Sequence, residues 1–169
     1  NSKRNTADLT QLAGINPRVI SIVDAVQEHL ANIDHDGQTT DGTYENAQAR
    51  ERIQILMDLA NMEGGLVVGT GDMSENALGW STYNGDQMSM YNVNAGLPKT
   101  ILWRLLVWAA DMLFGSDGRL VAQTIVDAPV SPEWKPLGPD GRIIQLTEDV
   151  LGAYLLHDYF IWHAIQERK

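Results

Sequence analysis

The sequence predicts an α/β fold in which parallel strands are layered with helices, with helix in the majority. Three observations predict it. Helix-like and strand-like segments alternate along the chain. Residues 66–70, "LVVGT", carry no polar side chain before Thr70, the pattern of a parallel strand covered on both faces. Two long amphipathic patterns bracket that strand, and 169 residues are enough for one core.

In chain order, "TADLTQLAG" spaces Ala7, Leu9, Leu12 and Ala13 for a helix that stops at Gly14. "RVISIVDA" is β-branched enough for a short strand, and "VDAVQEHLANI" continues as a helix. "DHDGQTTDGT" is a polar turn-rich loop, so Asp34, His35 and Asp36 are expected to be solvent-exposed. Residues 43–62 read as the best helix, with Thr43 as N-cap, Glu45 in the first turn and Gly64-Gly65 past the end. Its apolar stripe is Ile53, Leu56, Met57 and Ala60. After the "LVVGT" strand come 27 residues, Gly71 to Leu97, a length that belongs to a binding loop more often than to a plain connection. Pro98 opens a second amphipathic helix, with Ile101, Leu102, Leu105, Leu106, Ala109 and Met112 on its apolar side. "PVSPEWKPLGPDGR" reads as an irregular loop that could serve as a lid, and the C-terminal segment as helix broken at Gly152.

Composition excludes several classes. The formal charge is -10, from twelve basic and twenty-two acidic residues, which opposes a phosphate backbone as main partner. The longest apolar stretch, "ILWRLLVWAADML", contains Arg104 and Asp111 and is shorter than the roughly 20 residues of a membrane span. There are no cysteines, hence no disulfide, thiolate metal site or cysteine nucleophile within these residues, which fits a reducing compartment. Asn1 in place of an initiator Met, with no obvious cap at either end, leads to the expectation of an excised piece of a longer protein.

Ligands of open parallel sheets bind beyond the carboxyl ends of the strands, where "GTGDMSE" stands. Gly69 and Gly71 would let backbone approach a ligand, Thr70 offers a hydroxyl, and Asp72 and Glu75 offer hard oxygens suited to Mg²⁺. The same residues equally suit a structural turn. Asn46 and Arg50 stand four apart on one helical face, either as a clamp for an anionic or amide-bearing ligand or as solvated surface. Lys99, in the first turn of its helix, could reach a phosphate or simply face water. His157 and His163 lie off a common helical face and away from metal-ligand spacing.

The segments "YENAQARERIQILMDLAN", "GGLVVGTGDMSENALGWSTYNGDQMSMYNVNAGLPKT", "DAPVSPEW" and "TEDVLGAYLLHDYF", in this order, closely resemble the synthetase part of glutamine-dependent NAD synthetases. The resemblance runs through nearly the whole chain. It implies a partial Rossmann-like parallel sheet flanked by helices, of the adenine nucleotide alpha hydrolase-like kind found in ATP pyrophosphatases. It implies a cytoplasmic, oligomeric ligase that adenylates deamido-NAD with ATP and Mg²⁺ and amidates it with ammonia, supplied from glutamine by a glutaminase domain of the same polypeptide. By resemblance Thr70, Lys99 and Ser131 bind ATP, and Glu75 holds Mg²⁺. Asn46, Arg50, Glu75, Trp80, Ser81, Thr82 and Tyr83 line the deamido-NAD side.

This chain also departs from the family pattern. The "SGG-x-DS" phosphate loop, the C-terminal basic segment and the glutaminase residues are not among its residues. Tyr83 and Met90 stand where shorter ammonia-dependent relatives carry Lys and Asp, which points to the glutamine-dependent branch. The expectation is one partial synthetase domain over residues 1–169, inactive when isolated. The alternative is a non-catalytic nucleotide-binding or scaffold module derived from the fold.

Overall fold

The computed structural model describes residues 2–130 and 146–167. Helices α1 (Ser2–Leu12), α2 (Val23–Asn32) and α3 (Gly42–Glu63) precede strand β1 (Val68–Gly69). Helix α4 (Met73–Leu78), strand β2 (Tyr91–Asn92) and helix α5 (Lys99–Val126) follow. The chain then forms α6 (Thr147–Leu151) and α7 (Tyr154–Ile161), which runs on into a π-helical turn, Trp162–Gln166. The α/β class and the helical majority are as the sequence predicts, and β1 pairs with β2 in parallel, Val68 opposite Tyr91 and Gly69 opposite Asn92.

Several element boundaries differ from the sequence reading. Residues 15–22 form no strand. A β-branched run extends into a sheet only where a neighbour offers a ladder. Here Ile22 finds burial instead against Val26, Leu30 and Ala47, while Arg18 is tied to Glu63 at the end of α3. Helix α3 is capped by Asp41 rather than Thr43, because the Asp41 carboxylate accepts the Tyr44 N–H at 2.9 Å. Its C-terminus is closed by Gly64 at φ 64°, as expected. Along its apolar stripe Ile53 and Ala60 are buried with Val67, Met57 packs beside them, and Leu56 is exposed.

The "LVVGT" strand is ordered as β only at Val68 and Gly69, and Val68 is 54% exposed, so it is not covered on both faces. The 27 residues after it are not a plain loop: they fold into α4, β2 and hydrogen-bonded turns. In the polar loop Asp34 and Asp36 are exposed as expected, whereas His35 is half-buried and accepts the Gly37 N–H at 3.0 Å. Asp36 accepts from the Thr39 hydroxyl and from the Thr39 and Gln38 N–H groups, which lowers its carboxyl to about 2.

Pro98 is the N-cap of α5 rather than its first residue. The helix runs past its expected end to Val126, but Gly115, at φ 67° and ψ -153°, breaks it into two arms. The arms fold back so closely that a Cβ on Gly118 would stand 2.5 Å from the Ala110 carbonyl oxygen and 2.6 Å from Phe114 Cβ. Ala110 and Ala122 are buried near this contact, and of the residues expected on the apolar side of α5, Ile101, Leu105 and Met112 are exposed. Helix α1 packs on α5, and α4, α5 and α7 pack on one another around the end of β1.

Because the Gly118 contact is with backbone, a methyl group there forces the arms apart. Gly118→Ala is expected to lower stability by about 1–3 kcal/mol, read as an earlier urea midpoint at unchanged helical content.

Candidate functional site

At the carboxyl end of β1 the chain turns directly into α4, and the sequence Asp72-Met73-Ser74-Glu75 closes that turn as a capping box. The Asp72 carboxylate accepts the Glu75 N–H at 2.9 Å, and the Glu75 carboxylate accepts the Asp72 N–H at 3.1 Å. The Met73 N–H donates to the Leu97 carbonyl at 3.0 Å, which holds the start of α4 against the start of α5. Lys99, the first residue of α5, therefore points its ammonium at both acids: Nζ lies 2.6 Å from Asp72 Oδ2 and 2.8 Å from Glu75 Oε1. It also sits over the Tyr154 ring, 5.1 Å from the centroid. Lys99 is thus buried, not exposed, and its ammonium faces carboxylates of its own chain. Burial by itself would lower its pKa, but the hydrogen bonds to Asp72 and Glu75 outweigh that and raise it.

The N-terminus of α5 is completed by side chains from distant parts of the chain. Pro98 has no side-chain acceptor to offer its helix. Ser74 Oγ accepts the Lys99 N–H at 2.9 Å, and Asp158 Oδ2, from α7, accepts the Thr100 N–H at 2.7 Å. The Ser74 hydroxyl in turn donates to Asp158 Oδ1. Tyr154, also from α7, meets Trp103 edge to face at 6.3 Å, and its hydroxyl is buried without a hydrogen-bond partner among the described residues. Burial pushes the Tyr154 phenol up to about 12.

A second group lies where α3 meets the chain leaving α4. The Thr82 hydroxyl donates to Asn46 Oδ1 at 2.8 Å, and Arg50 Nε donates to the Tyr83 carbonyl at 3.2 Å. The Thr82 N–H donates to Asp86 Oδ1 at 2.8 Å, and the Trp80 N–H closes the end of α4 on the Glu75 carbonyl at 3.0 Å. The structure therefore gathers Asn46, Arg50, Thr82 and Tyr83, with Trp80 and Ser81 in the same turn. The Tyr83 side chain is 71% exposed.

Thr70 is exposed at the strand end, on the segment that joins β1 to Asp72. Gly69 lets Ser89 come close: a Cβ there would stand 2.4 Å from Ser89 Oγ. Ser131, and most of the loop read as a lid, lie outside the described residues. His157 Nε2 is 2.5 Å from the Leu151 carbonyl and His163 Nδ1 is 2.6 Å from Glu167. Among the described residues no group of three or more His, Asp or Glu side chains is placed to hold a metal ion by itself.

Sequence reasoning missed Ser74, Tyr154 and Asp158. The capping box was legible in the Asp-x-x-Glu spacing, but Asp158 is 84 residues from Ser74, and no local pattern announces that contact.

A parallel strand pair that delivers acidic and hydroxyl side chains to the start of a capped helix, with helices packed behind it, makes this an α/β protein with its candidate site at the carboxyl end of a parallel strand. The structure is similar to an NMN synthetase from Francisella tularensis, with a TM-score of 0.75 and 24% identity over 94% of this chain and 59% of that one. It is also similar to a glutamine-dependent NAD+ synthetase from Acinetobacter baumannii in complex with adenosine diphosphate. That likeness has a TM-score of 0.67 and 24% identity over 99% of this chain and 28% of the other.

The sequence pattern of the NAD synthase family matches residues 1–167, and the chain belongs to that family. It is 39% identical to the glutamine-dependent NAD(+) synthetase of Mycobacterium tuberculosis (strain H37Rv), with 98% of this chain and 25% of that protein covered. It is 31% identical to the glutamine-dependent NAD(+) synthetase of Acinetobacter baylyi, over 92% and 26% respectively. The chain spans about a quarter of the length of these relatives.

Removing the Lys99 ammonium would leave Asp72 buried without a counter-charge. Lys99→Met is expected to cost about 3–5 kcal/mol in guanidinium unfolding. The raised Lys99 pKa gives the alkaline behaviour its sign. The contribution of this group is fully present below the ordinary lysine value of 10.5 and is lost as pH rises through the higher folded value. Unfolding free energies between pH 8 and 12 should fall less steeply for Lys99→Met than for the parent.

Proposed function

We propose that this chain is one part of the synthetase domain of a glutamine-dependent NAD synthetase. In this reading the enzyme is a cytoplasmic homo-oligomer whose glutaminase domain supplies ammonia. The observation that carries the proposal is the Asp72–Lys99–Glu75 cluster at the end of a parallel strand, beside the Asn46–Thr82 and Arg50–Tyr83 pairs. The mycobacterial and Acinetobacter relatives support it, since both are named for that activity. No described helix is long and apolar enough to cross a membrane.

In the reaction a carboxylate oxygen of deamido-NAD attacks the α-phosphorus of ATP, and the bond to pyrophosphate breaks. Ammonia then attacks the acyl carbon, AMP leaves with the oxygen, and the amide of NAD remains. A carboxylate is a poor electrophile, so this conversion into an acyl phosphate must come first.

Asn46, Arg50 and the 80–83 turn would orient the dinucleotide, with Tyr83 as an exposed aromatic surface. Thr70 and Ser131 would contact ATP. A phosphate reaching Lys99 would take the place of its Glu75 contact, because Glu75 is the more exposed of its two partners.

The chemistry of the acids decides which of them fits Mg²⁺. Mg²⁺ is commonly held by one or two protein carboxylates together with substrate phosphates. The Glu75 side chain is 29% exposed and each of its oxygens retains a lone pair, whereas Asp72, at 1%, is closed off. Glu75 fits that role and Asp72 does not. When bound, Mg²⁺ would offset the charge that moves onto pyrophosphate. The task of Asp72 is to cap α4 and to hold Lys99.

In the full-length protein, Glu75→Gln is expected to lower the rate of adenylation about 10²- to 10³-fold with circular dichroism unchanged. Asp72→Asn should instead lower the thermal midpoint more than Glu75→Gln does, and reduce the rate less. Normal adenylation by Glu75→Gln, with Asp72→Asn dead but folded, would move the metal to Asp72. The 169-residue chain alone, given deamido-NAD, ATP and ammonia, is expected to form no NAD, and measurable ATP-dependent NAD formation would refute the partial-domain reading.

A further inference from the structure

The two helices that carry Glu75 and Lys99 are joined by one buried carboxylate from a third. Asp158 is 4% exposed and lies on α7, and both of its oxygens are engaged. Oδ1 accepts the hydroxyl of Ser74, which stands beside Glu75 on α4. Oδ2 accepts the Thr100 N–H in the first turn of α5, beside Lys99. Ser74 closes the triangle by accepting the Lys99 N–H itself. A charge taken out of water at this depth is tolerated only where its lone pairs are met, and a helix N-terminus is the place on a backbone that best meets them.

An apolar side chain at position 158 could pack α7 against its neighbours, but it would leave the Thr100 donor unmet. It would also let the Ser74 hydroxyl rotate away from the Lys99 N–H. We propose that Asp158 is a positioning residue, setting the spacing between α4 and α5 and hence between the Glu75 carboxylate and the Lys99 ammonium. The proposal rests on the reading of Glu75 as a group that acts on substrate.

Asn at position 158 has nearly the same shape but one acceptor oxygen where Asp has two. If that oxygen keeps the Thr100 N–H, the amide nitrogen faces Ser74 and the serine proton loses its acceptor. In the full-length protein, Asp158→Asn is therefore expected to lower kcat for AMP formation about 10- to 100-fold. KM for deamido-NAD should stay within about twofold, and Asp158→Glu, which keeps the charge, should recover part of kcat.

The distinguishing readout is the double variant Asp158→Asn with Glu75→Gln. If Asp158 acts through Glu75, the double variant is no slower than Glu75→Gln alone, within about twofold. If the two losses multiply, Asp158 acts independently and the proposal is overturned. A parental kcat in Asp158→Asn, with Glu75→Gln impaired, overturns the proposal and leaves the functional reading standing. A parental kcat in Glu75→Gln overturns the functional reading and this proposal with it. Should Asp158→Asn fail to fold, Ser74→Ala keeps the Thr100 bond and breaks both hydrogen bonds of the Ser74 hydroxyl, the one to Asp158 and the one from the Lys99 N–H. It is expected to lower kcat about 3- to 10-fold, and a parental kcat there overturns the proposal.

Discussion

The arrangement at the end of β1 depends on one buried cation. The Lys99 ammonium lies 2.6 Å from Asp72 and 2.8 Å from Glu75, and the backbone that carries it is capped by Ser74 and Asp158. Each of these side chains would be costly to bury alone. Asp72 is acceptable because Lys99 faces it, Lys99 because two carboxylates surround it, and Asp158 because two donors point at it. The net effect of such a cluster on stability is small compared with the cost of breaking it. Its contribution is specificity, since α4, α5 and α7 fit together in the one arrangement that satisfies every member.

That mutual dependence explains how a strand of two paired residues can present a precise site. β1 and β2 share a single short register, and Val68 leaves much of its surface in water. The rigidity comes from the helices instead. The capping box fixes the direction in which α4 leaves the strand, the Met73 to Leu97 hydrogen bond brings the start of α5 alongside, and Asp158 locks the pair from behind. The deamido-NAD side, in the proposed reading, is held by the same device in a milder form, with Thr82 and Tyr83 hydrogen-bonded to Asn46 and Arg50 of α3.

The exposed apolar residues fit a portion of a larger protein. Leu66 and Val68 beside the strand, Trp108, Met112 and Leu113 on α5, and Leu155, Tyr159 and Phe160 on α7 all face solvent in this chain. Patches of this kind on soluble proteins commonly mark surfaces that another element covers. The relatives are about four times as long and have further chain that could do so.

Local chemistry was enough for much of this. The helix ends at Gly14, Gly64 and Gly152, the parallel character of the strand after residue 65, and the family were all legible in residue order. They depend on spacings of a few residues or on a long contiguous match. The Asn46–Arg50 pair was legible for the same reason, as an i, i+4 spacing on one helix. What lay beyond reading were the contacts that join distant segments. Lys99 read as a residue that could reach a phosphate or face water, because nothing near it in sequence shows two carboxylates folding over it. Residues 18–25 looked like a strand because β-branching reports a preference and not the presence of a partner. The Ser74–Asp158 contact spans 84 residues. Only packing α7 against α4 and α5 decides that this carboxylate, like that of Asp72, is removed from water.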